Sequence, residues 1–303
     1  MIVAAVFNSP LDKVDQGALE PLPRDVFPLS KLHDAFRFMA EAKHIGKVVV
    51  SMPRTDSASG TREFALSSEG SYLITGGLGG LGLKLAEFFI EHGAHSLALT
   101  GRRGAVGDAA QAVSGLREAG AEILVIEADV AKPGDVERVL QAIRQELPPL
   151  RGVVHAAGVL DDGVLLQQSW ARFETVLAPK VDGAWNLHTL TEEALDFFVT
   201  FSSVASLTGN PGQGNYAAAN AFLDALAHHR RALGQPALSI NWGPWAESGM
   251  AADLGRSGQR HLAGQGFAII PPDQGLQAFR DLLTGASSQV AVVPGNWSRF
   301  LQA

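Results

Sequence analysis

From residue 71 onward, short apolar strands alternate with amphipathic helices, and this pattern constrains the fold more than any other feature. The predicted strands are Tyr72–Thr75, Leu97–Thr100, Ile123–Glu127, Gly152–His155, Phe197–Phe201, Leu238–Asn241 and Val290–Val293. The predicted helices are Gly80–His92, Asp108–Gly120, Pro133–Glu146, Trp170–Leu190, Asn215–Leu233 and Pro272–Leu283. Because parallel strands need helical crossovers, the pattern predicts an α/β fold, a doubly wound parallel sheet with helices on both faces.

The preceding residues have a different character. Residues 1–52 are predicted to form an extended segment, a helix near Leu29–Lys43 and a strand at Gly46–Ser51, which makes a short helix-strand remnant. Residues 53–70 are mostly polar, and this composition predicts a linker. The division is therefore a short remnant over 1–52, a linker over 53–70, and an α/β domain over 71–303.

Composition excludes several classes of function. The net charge of −7 argues against nucleic-acid binding, and 46% hydrophobic residues supply a proper core. The chain has no cysteine, so disulfides and cysteine metal sites are excluded, and no metal is expected. The apolar start Met1–Phe7 lacks a basic flank, and no run reaches the ~20 apolar residues of a membrane helix. We expect a cytoplasmic protein without membrane partners.

A glycine-rich turn follows the first strand of the alternating region and opens a helix. Its spacing, Gly77-x-Gly79-x-x-Gly82, is typical of a dinucleotide-binding turn, in which the backbone approaches a pyrophosphate at a helix N-terminus. The pattern is weak by itself, but its place between strand and helix makes it specific. We therefore expect a Rossmann-like fold. The residues expected to bind the cofactor here are Thr75, Gly76, Gly77, Leu78, Gly79, Gly80, Leu81 and Gly82.

The end of the next strand indicates which dinucleotide is bound. An acid at this place would hold the ribose of NAD, but the chain has Arg102 and Arg103 instead. Two guanidinium groups suit a 2′-phosphate, which predicts NADPH; the alternative is an ordinary solvated pair in a turn. Weaker candidates follow later strands: Asp129 and Val130 near the adenine, and the small residues Ala156, Ala157 and Gly158 beside the cofactor.

Tyr216 and Asn220 pose a chemical puzzle. A tyrosine titrates near pH ~10, so it needs a nearby cation to serve as an acid near neutrality. In many hydride-transfer enzymes a lysine one helical turn later supplies that cation, but Asn220 occupies the position here. Either another lysine covers the site or the site is inactive.

The stretch from Ser71 to Pro294 resembles the short-chain dehydrogenase/reductase superfamily, and within it the ketoreductase domains of modular polyketide synthases. The motifs that carry the resemblance are Thr75-Gly-Gly-Leu-Gly-Gly-Leu-Gly82, Thr100-Gly-Arg-Arg-Gly104, His155-Ala-Ala-Gly158, Lys180-Val-Asp-Gly-Ala-Trp185, Phe201-Ser-Ser203, Asn215-Tyr-Ala-Ala-Ala-Asn220 and Asn241-Trp-Gly-Pro-Trp245. Because several independent motifs occur in the family's order, the resemblance is specific.

The resemblance implies a catalytic tetrad in which lysine and asparagine have exchanged places. Tyr216 would protonate the developing alkoxide, and Ser203 would hydrogen-bond the same oxygen. Lys180 would stabilise the tyrosinate and orient the cofactor or a proton relay, and Asn220 would fix that geometry. The alternative is that Tyr216 is a half-buried helix residue and Lys180 a solvated surface charge.

The resemblance also implies a stereochemical class. Leu160, Asp161 and Asp162 match the Leu-Asp-Asp signature of B-type ketoreductases, which form the D-configured β-hydroxyl. The tryptophan that marks the A-type class is replaced by Thr208. The segment Trp245–Gly266 forms a lid in this family. Trp245 and Met250 within it would touch the pantetheine arm or acyl chain, or else serve as ordinary loop anchors.

The first fifty residues resemble the C-terminal end of a polyketide synthase enoyl reductase. The expected partners are an acyl carrier protein bearing a phosphopantetheine-tethered β-ketoacyl chain and other synthase domains. A second, non-catalytic subdomain of the family has no counterpart here, so we expect a piece of a larger multienzyme. Two alternatives stay open, a free-standing reductase of a soluble ketone and a catalytically silent synthase remnant.

Overall fold

The computed structural model describes residues 23–28, 31–42, 45–51, 65–246 and 267–295. The chain divides into two compact units, Met1–Arg62 and Glu63–Ala303. Met250 and most of the predicted lid lie outside the described residues.

The first unit is a small βαβ arrangement. Strand β1 (Arg24–Pro28) and strand β2 (Lys47–Ser51) pair in parallel, and helix α1 (Leu32–Ala40) connects them. Ala35 is the buried residue of that helix, and the rings of Phe27 and Phe38 lie 5.6 Å apart. The predicted helix and the strand after it are present, and Arg24–Pro28, within the part predicted to be extended, forms β1.

The second unit contains a seven-stranded sheet. Its strands are β3 (Ser71–Thr75), β4 (Ser96–Gly101), β5 (Glu122–Glu127), β6 (Leu150–His155), β7 (Phe197–Ser203), β8 (Leu238–Trp242) and β9 (Gln289–Val292). All pair in parallel, in the order β5-β4-β3-β6-β7-β8-β9. The strand order reverses between β3 and β6, where open α/β sheets bind their ligands. The seven predicted strands and the doubly wound fold are confirmed.

Helices cover both faces of this sheet. They are α2 (Gly80–Glu91), α3 (Asp108–Glu118), α4 (Pro133–Glu146), α5 (Trp170–Leu177), α6 (Gly183–Leu190), α7 (Ala205–Thr208), α8 (Gly214–Ala232) and α9 (Pro272–Leu283). A 3₁₀ turn at Leu165–Gln167 precedes α5.

Burial on both faces explains why the strands are apolar throughout. Along β3, Tyr72 and Ile74 belong to one core cluster with residues of α2, whereas Leu73 belongs to another with residues of α4. Successive side chains of a strand point to opposite faces, so a strand covered on both sides needs apolar residues at every position.

The helix predicted over Trp170–Leu190 is interrupted. A π-helical turn, Ala178–Asp182, separates α5 from α6. Pro179 lies in this turn and has no N–H to donate to the preceding turn of an α-helix, so a regular helix cannot pass through it. The turn contains Lys180, and such π-turns occur frequently at functional sites.

Residues 65–70, which the sequence assigns to the linker, pack with the second unit. The Leu66 side chain belongs to the core cluster that contains Tyr72, and its backbone N–H donates to the His92 carbonyl over 2.8 Å. These residues belong to the compact unit that spans Glu63–Ala303.

Within the described ranges, no helix is long and apolar enough to cross a membrane. Those same ranges contain no group of three or more histidine and acidic residues arranged to hold a metal ion.

Candidate active site

A cavity of about 930 Å³ opens where the carboxyl ends of the strands meet. Most of the site residues predicted from the sequence line it: Gly76, Leu78, Gly79, Gly80, Leu81, Gly82, Arg102, Arg103, Asp129, Val130, Ala156, Ala157, Gly158, Leu160, Asp162, Lys180, Ser203, Tyr216 and Trp245. Among the described residues, four predicted ones are not part of the lining: Thr75, Gly77, Asp161 and Asn220. The site therefore combines the glycine turn with the tyrosine helix in one space.

The glycine turn is shaped for close backbone approach. Gly76 has φ of 69°, and a Cβ there would lie 2.9 Å from the backbone of Ala156 and of Ala157. At Gly82 a Cβ would lie 2.4 Å from the Gly76 carbonyl oxygen. The N-cap residue of the helix that follows is Gly79, which has no side chain to accept the first N–H groups, and Gly79 to Gly82 line the cavity. These features fit the pyrophosphate of a dinucleotide.

Thr75 and Gly77 lie behind the cavity wall and hold the turn. The Thr75 hydroxyl and His155 Nδ1 share a hydrogen bond of 2.7 Å between neighbouring strands. The Gly77 N–H donates to the Thr100 carbonyl over 3.1 Å. These two hydrogen bonds connect the glycine turn to the ends of the adjacent strands and so fix its position.

One end of the cavity lies beyond β4 and β5. Arg102 and Arg103 are both exposed and line the cavity at the end of β4. At the end of β5 the Asp129 carboxylate accepts the Ala131 N–H, and the Asp129 N–H donates to the Asp135 carboxylate over 2.8 Å. Asp129 thus shapes a tight local turn as well as lining the cavity.

Tyr216, Lys180 and Ser203 converge at the other end of the cavity. The Lys180 ammonium lies 5.5 Å from the centre of the Tyr216 ring and donates to the Phe201 carbonyl over 2.9 Å. Lys180 is 2% exposed, so it is not a solvated surface charge. Tyr216 is also buried, and Ser203 ends β7 beside it.

Burial changes the acid–base character of these groups. It raises the pKa of Tyr216, while its contacts with Asn220 and Ser203 act in the opposite direction. Burial lowers the pKa of Lys180 to about 8, against the opposing field of Asp224. Burial, aided by the Lys180 charge, lowers the pKa of His155 to about 3. At neutral pH, Tyr216 therefore keeps its proton, Lys180 is mostly charged and His155 is neutral.

Asn220 lies underneath the tyrosine rather than on the cavity wall. Its side-chain amide donates to the Tyr216 backbone carbonyl over 2.7 Å, and its backbone carbonyl accepts the Ser202 hydroxyl. Asn220 is fully buried. It fixes the backbone of α8 at the tyrosine and against β7.

A buried polar network behind the site escaped the sequence interpretation. Both oxygens of Asp224 accept hydrogen bonds, from the hydroxyls of Ser206 and Ser239 and from the Asn241 amide. Asp224 follows Tyr216 by eight residues, so the two share a face of α8. The sequence signal that could have revealed this network is the position of Asp224, an acidic residue on the face of the helix that is otherwise predicted to be buried.

The Leu-Asp-Asp segment lies beside the start of the tyrosine helix. Leu160 and Asp162 line the cavity, whereas Asp161 forms an ion pair with Arg172. The Asp162 carboxylate accepts the side-chain amide of Gln213 over 2.8 Å. No motif singled out Arg172, because its contact with Asp161 joins residues eleven positions apart in the chain.

Trp245 is an anchor of the loop. It is 5% exposed, its ring lies 4.8 Å from that of Trp242, and it packs against Gly275 of α9. Of the two roles considered for Trp245, this packing supports the loop anchor, although the residue also borders the cavity.

Comparison with known proteins gives the same picture for both parts of the chain. The KR domain family matches residues 70–247, and the zinc-binding dehydrogenase family matches residues 4–50. The chain is 41% identical over 287 residues to a phenolphthiocerol/phthiocerol polyketide synthase protein of Mycobacterium tuberculosis. That alignment covers 93% of this chain but only 13% of the relative, so the chain spans about an eighth of its length.

Solved structures agree with the sequence relatives. An A-type ketoreductase from a modular polyketide synthase superposes with a TM-score of 0.71 at 39% identity, covering 76% of this chain and 49% of that one. A ketoreductase domain from the bacillaene assembly line superposes with a TM-score of 0.74 at 28% identity, covering 99% of this chain and 84% of that one.

Proposed function

We propose that this chain, which belongs to the ketoreductase (KR) domain family of polyketide synthases, reduces a β-keto group with NADPH and forms a D-β-hydroxyl. Members of the family are oxidoreductases that reduce β-keto groups with a nicotinamide cofactor. The supporting observation is the arrangement of Lys180, Ser203 and Tyr216 in the cavity that the glycine turn also lines. We assign the reaction to the catalytic domain, residues 71–303.

The chain's own residues supply the proton transfer. A nicotinamide cofactor held at the glycine turn would supply the hydride. Tyr216 donates its proton to the oxygen of the reduced carbonyl, and the Ser203 hydroxyl donates a hydrogen bond to the same oxygen. The Lys180 ammonium, 5.5 Å from the ring, stabilises the tyrosinate that forms. Asn220 holds the tyrosine backbone in place through the Tyr216 carbonyl.

The preference for NADPH rests on charge. Arg102 and Arg103 border the cavity at the end of β4, where a carboxylate would be needed to hold an unphosphorylated ribose. Guanidinium groups bind phosphate by charge-assisted hydrogen bonds, so this pair favours the 2′-phosphorylated cofactor.

The stereochemical assignment rests on residues of this chain. A solved relative is described as A-type, so similarity alone does not select a class. The Leu-Asp-Asp segment borders the cavity through Leu160 and Asp162, and Thr208 stands where the A-type tryptophan would be. These residues favour entry of the acyl chain along the B-type path.

The substrate we propose is an acyl chain carried on the phosphopantetheine of an acyl carrier protein. Other synthase domains accompany the chain, because the relatives that it matches are large synthase proteins and the zinc-binding dehydrogenase match precedes the reductase.

The decisive test compares the chain's two tyrosines. Tyr216→Phe removes the proposed acid, and we expect a loss of about 10²–10⁴-fold in NADPH-dependent reduction of a β-ketoacyl thioester. Tyr72→Phe is the matched control: Tyr72 is buried on β3 and its hydroxyl accepts the Ser67 N–H far from the cavity. It should lower stability and leave kcat nearly unchanged. Full activity in Tyr216→Phe would refute the proposal.

A second assay tests the stereochemistry. The enzyme would be given a racemic α-substituted β-keto thioester, and the alcohols separated on a chiral column. A predominantly D-configured hydroxyl is expected, and a predominantly L-configured product would overturn the B-type assignment without touching the ketoreductase assignment.

A further inference from the structure

The Leu-Asp-Asp segment lies in a stretch without regular secondary structure. Between the end of β6 at His155 and the 3₁₀ turn at Leu165, the chain forms neither helix nor strand. The Gly163 N–H donates to the Gly212 carbonyl over 2.8 Å, which joins this stretch to the loop before Tyr216. The shape of the segment therefore depends heavily on side chains that reach it from other elements.

Arg172, near the start of α5, makes the densest set of these contacts. Its Nε and Nη2 both donate to one Asp161 carboxylate oxygen, and Nη2 also donates to the Asp162 carbonyl. A Cβ at Gly163 would lie 2.4 Å from Arg172 Nη1, so the guanidinium packs against three consecutive residues of the segment.

Asn215 connects this cluster to the catalytic helix. Its amide donates to the Asp161 carbonyl over 2.8 Å and to the Arg172 carbonyl over 3.4 Å. Its side-chain oxygen accepts the N–H of Tyr216 over 2.8 Å. Asn215 is fully buried, so Arg172, Asp161 and the first turn of α8 form one connected unit.

Arg172 and Asp161 do not line the cavity, whereas Leu160 and Asp162 on either side of Asp161 do. Asp162 also influences the acid, because its charge adds to burial in raising the pKa of Tyr216. A displacement of the Asp161 backbone would therefore move its two neighbours. These are Leu160, whose apolar side chain borders the cavity, and Asp162, whose carboxylate acts on the pKa of Tyr216.

We propose that Arg172 is a positioning residue that fixes the Leu-Asp-Asp segment against the tyrosine helix and thereby determines the face from which the substrate carbonyl is reduced. This inference rests on the proposed function, because it concerns the product configuration of that reaction. Charge-assisted hydrogen bonds to one carboxylate and one carbonyl give the guanidinium a fixed geometry that a lysine cannot reproduce.

The first experiment measures the segment itself and needs no activity. Hydrogen–deuterium exchange over residues 159–168 would be followed in the full chain, in Arg172→Gln and in Asp161→Asn. Both substitutions are expected to speed exchange of these amides at least about tenfold, since local opening becomes easier when its contacts are lost. Unchanged exchange in folded Arg172→Gln would overturn the proposal, whatever the enzyme's activity.

The second experiment measures the consequence. With a β-keto thioester, Arg172→Gln should lower the ratio of major to minor alcohol about tenfold and raise KM, while kcat changes less, because Tyr216 and Lys180 are both retained. Arg172→Lys should be intermediate. An unchanged alcohol ratio together with faster exchange would overturn the stereochemical part of the proposal.

A matched control separates positioning from the loss of any ion pair. Arg144 donates a hydrogen bond of 2.6 Å to the Glu193 carboxylate, and neither residue lines the cavity. Arg144→Gln should therefore alter neither the exchange of the segment nor the alcohol ratio. If the unaltered enzyme forms mainly the L-alcohol, the B-type assignment fails, while the exchange result still decides whether Arg172 holds the segment.

Discussion

In the mechanism that we propose, Lys180 takes the role that a lysine one helical turn after the tyrosine has in many hydride-transfer enzymes. The position one turn after Tyr216 carries an amide, and that amide donates to the Tyr216 backbone carbonyl. The cation comes from Lys180, which is held 5.5 Å from the ring by its bond to the Phe201 carbonyl. The Asn220 amide therefore holds the backbone of the tyrosine helix, and the charge over the ring comes from a different element.

At the residue scale, the arginine pair gives a test of cofactor choice. Replacing Arg102 and Arg103 together by glutamine should lower kcat/KM with NADPH about tenfold to hundredfold, since hydrogen bonds to charged groups contribute about 1.5–3 kcal/mol. The kcat/KM with NADH should barely change, because NADH has no 2′-phosphate for the arginines to bind. Arg117→Gln is the control, because Arg117 donates to the Ile123 carbonyl outside the cavity lining. An equal loss with both cofactors would contradict the proposed phosphate contact.

At the scale of elements, the π-turn and the tyrosine helix act together. Pro179 interrupts the helix that would otherwise run from α5 into α6, and Lys180 follows it directly. Helix α8 carries Asn215, Tyr216, Asn220 and Asp224 among its buried residues. Ser202 of β7 donates to the Asn220 backbone carbonyl and Ser239 of β8 donates to the Asp224 carboxylate, so these bonds fix the helix against the sheet at the site.

Packing between α9 and the loop after β8 offers a prediction about two helical glycines. A Cβ at Gly275 would lie 2.2 Å from the Trp245 ring, so Gly275→Ala should lower the free energy of unfolding by about 1–3 kcal/mol. At Gly115 of α3 a Cβ meets nothing within 4 Å, so Gly115→Ala should raise that free energy by about 0.5–1 kcal/mol.

Urea unfolding of both variants would measure these changes. The opposite signs matter more than the sizes, because both substitutions add one methyl group to a helix. A stabilising Gly275→Ala would show that Trp245 does not pack against α9 in solution.

At the scale of the whole molecule, the parallel sheet brings distant parts of the sequence to one edge. The glycine turn follows β3, the arginines follow β4, the small residues follow β6 and Ser203 ends β7. The carboxyl ends of these strands lie side by side because every pair is parallel. The position of the cavity thus follows from the parallel topology, and its lining residues are those that end or follow each strand.

Burial inside this sheet also predicts how stability depends on pH. The pKa of His155 is about 3 in the folded protein, against an ordinary value of 6.5, chiefly because burial disfavours its charged form. The unfolded chain therefore binds a proton that the folded protein does not, between these two values. Stability should fall as the pH is lowered from 6.5 towards 3, at up to about 1.4 kcal/mol per pH unit from this group.

The test is urea unfolding of the protein and of His155→Asn at pH 7.5 and pH 5. Asparagine can keep the hydrogen bond to Thr75 but does not titrate, so the variant should lose less stability on acidification. The control is the exposed His228, whose ring contacts Gln289 of β9. The variant His228→Asn should lose as much stability between pH 7.5 and pH 5 as the unaltered protein. Identical pH dependence in the protein and in His155→Asn would contradict the prediction.

Particular residues mark the limit of what the sequence predicts. The strand and helix pattern, the glycine spacing and the ordered motifs were enough to identify the fold and the residues around the cavity. The break at Pro179 was missed because the apolar pattern continues through it. Arg172 and Asp224 were missed because their partners are separated from them by 11 and 15 or more residues, so no local pattern connects them.

The sequence by itself determined the doubly wound fold, the family and the identities of the groups around the cavity, because these depend on local periodicity and on motifs that are short. Only the tertiary structure decided how those groups act. It buries Lys180 beside the Tyr216 ring, places Asn220 beneath the tyrosine backbone and fixes Asp161 with Arg172. The physical reason is that burial, pKa and hydrogen-bond partners depend on contacts between strands and helices far apart in the chain.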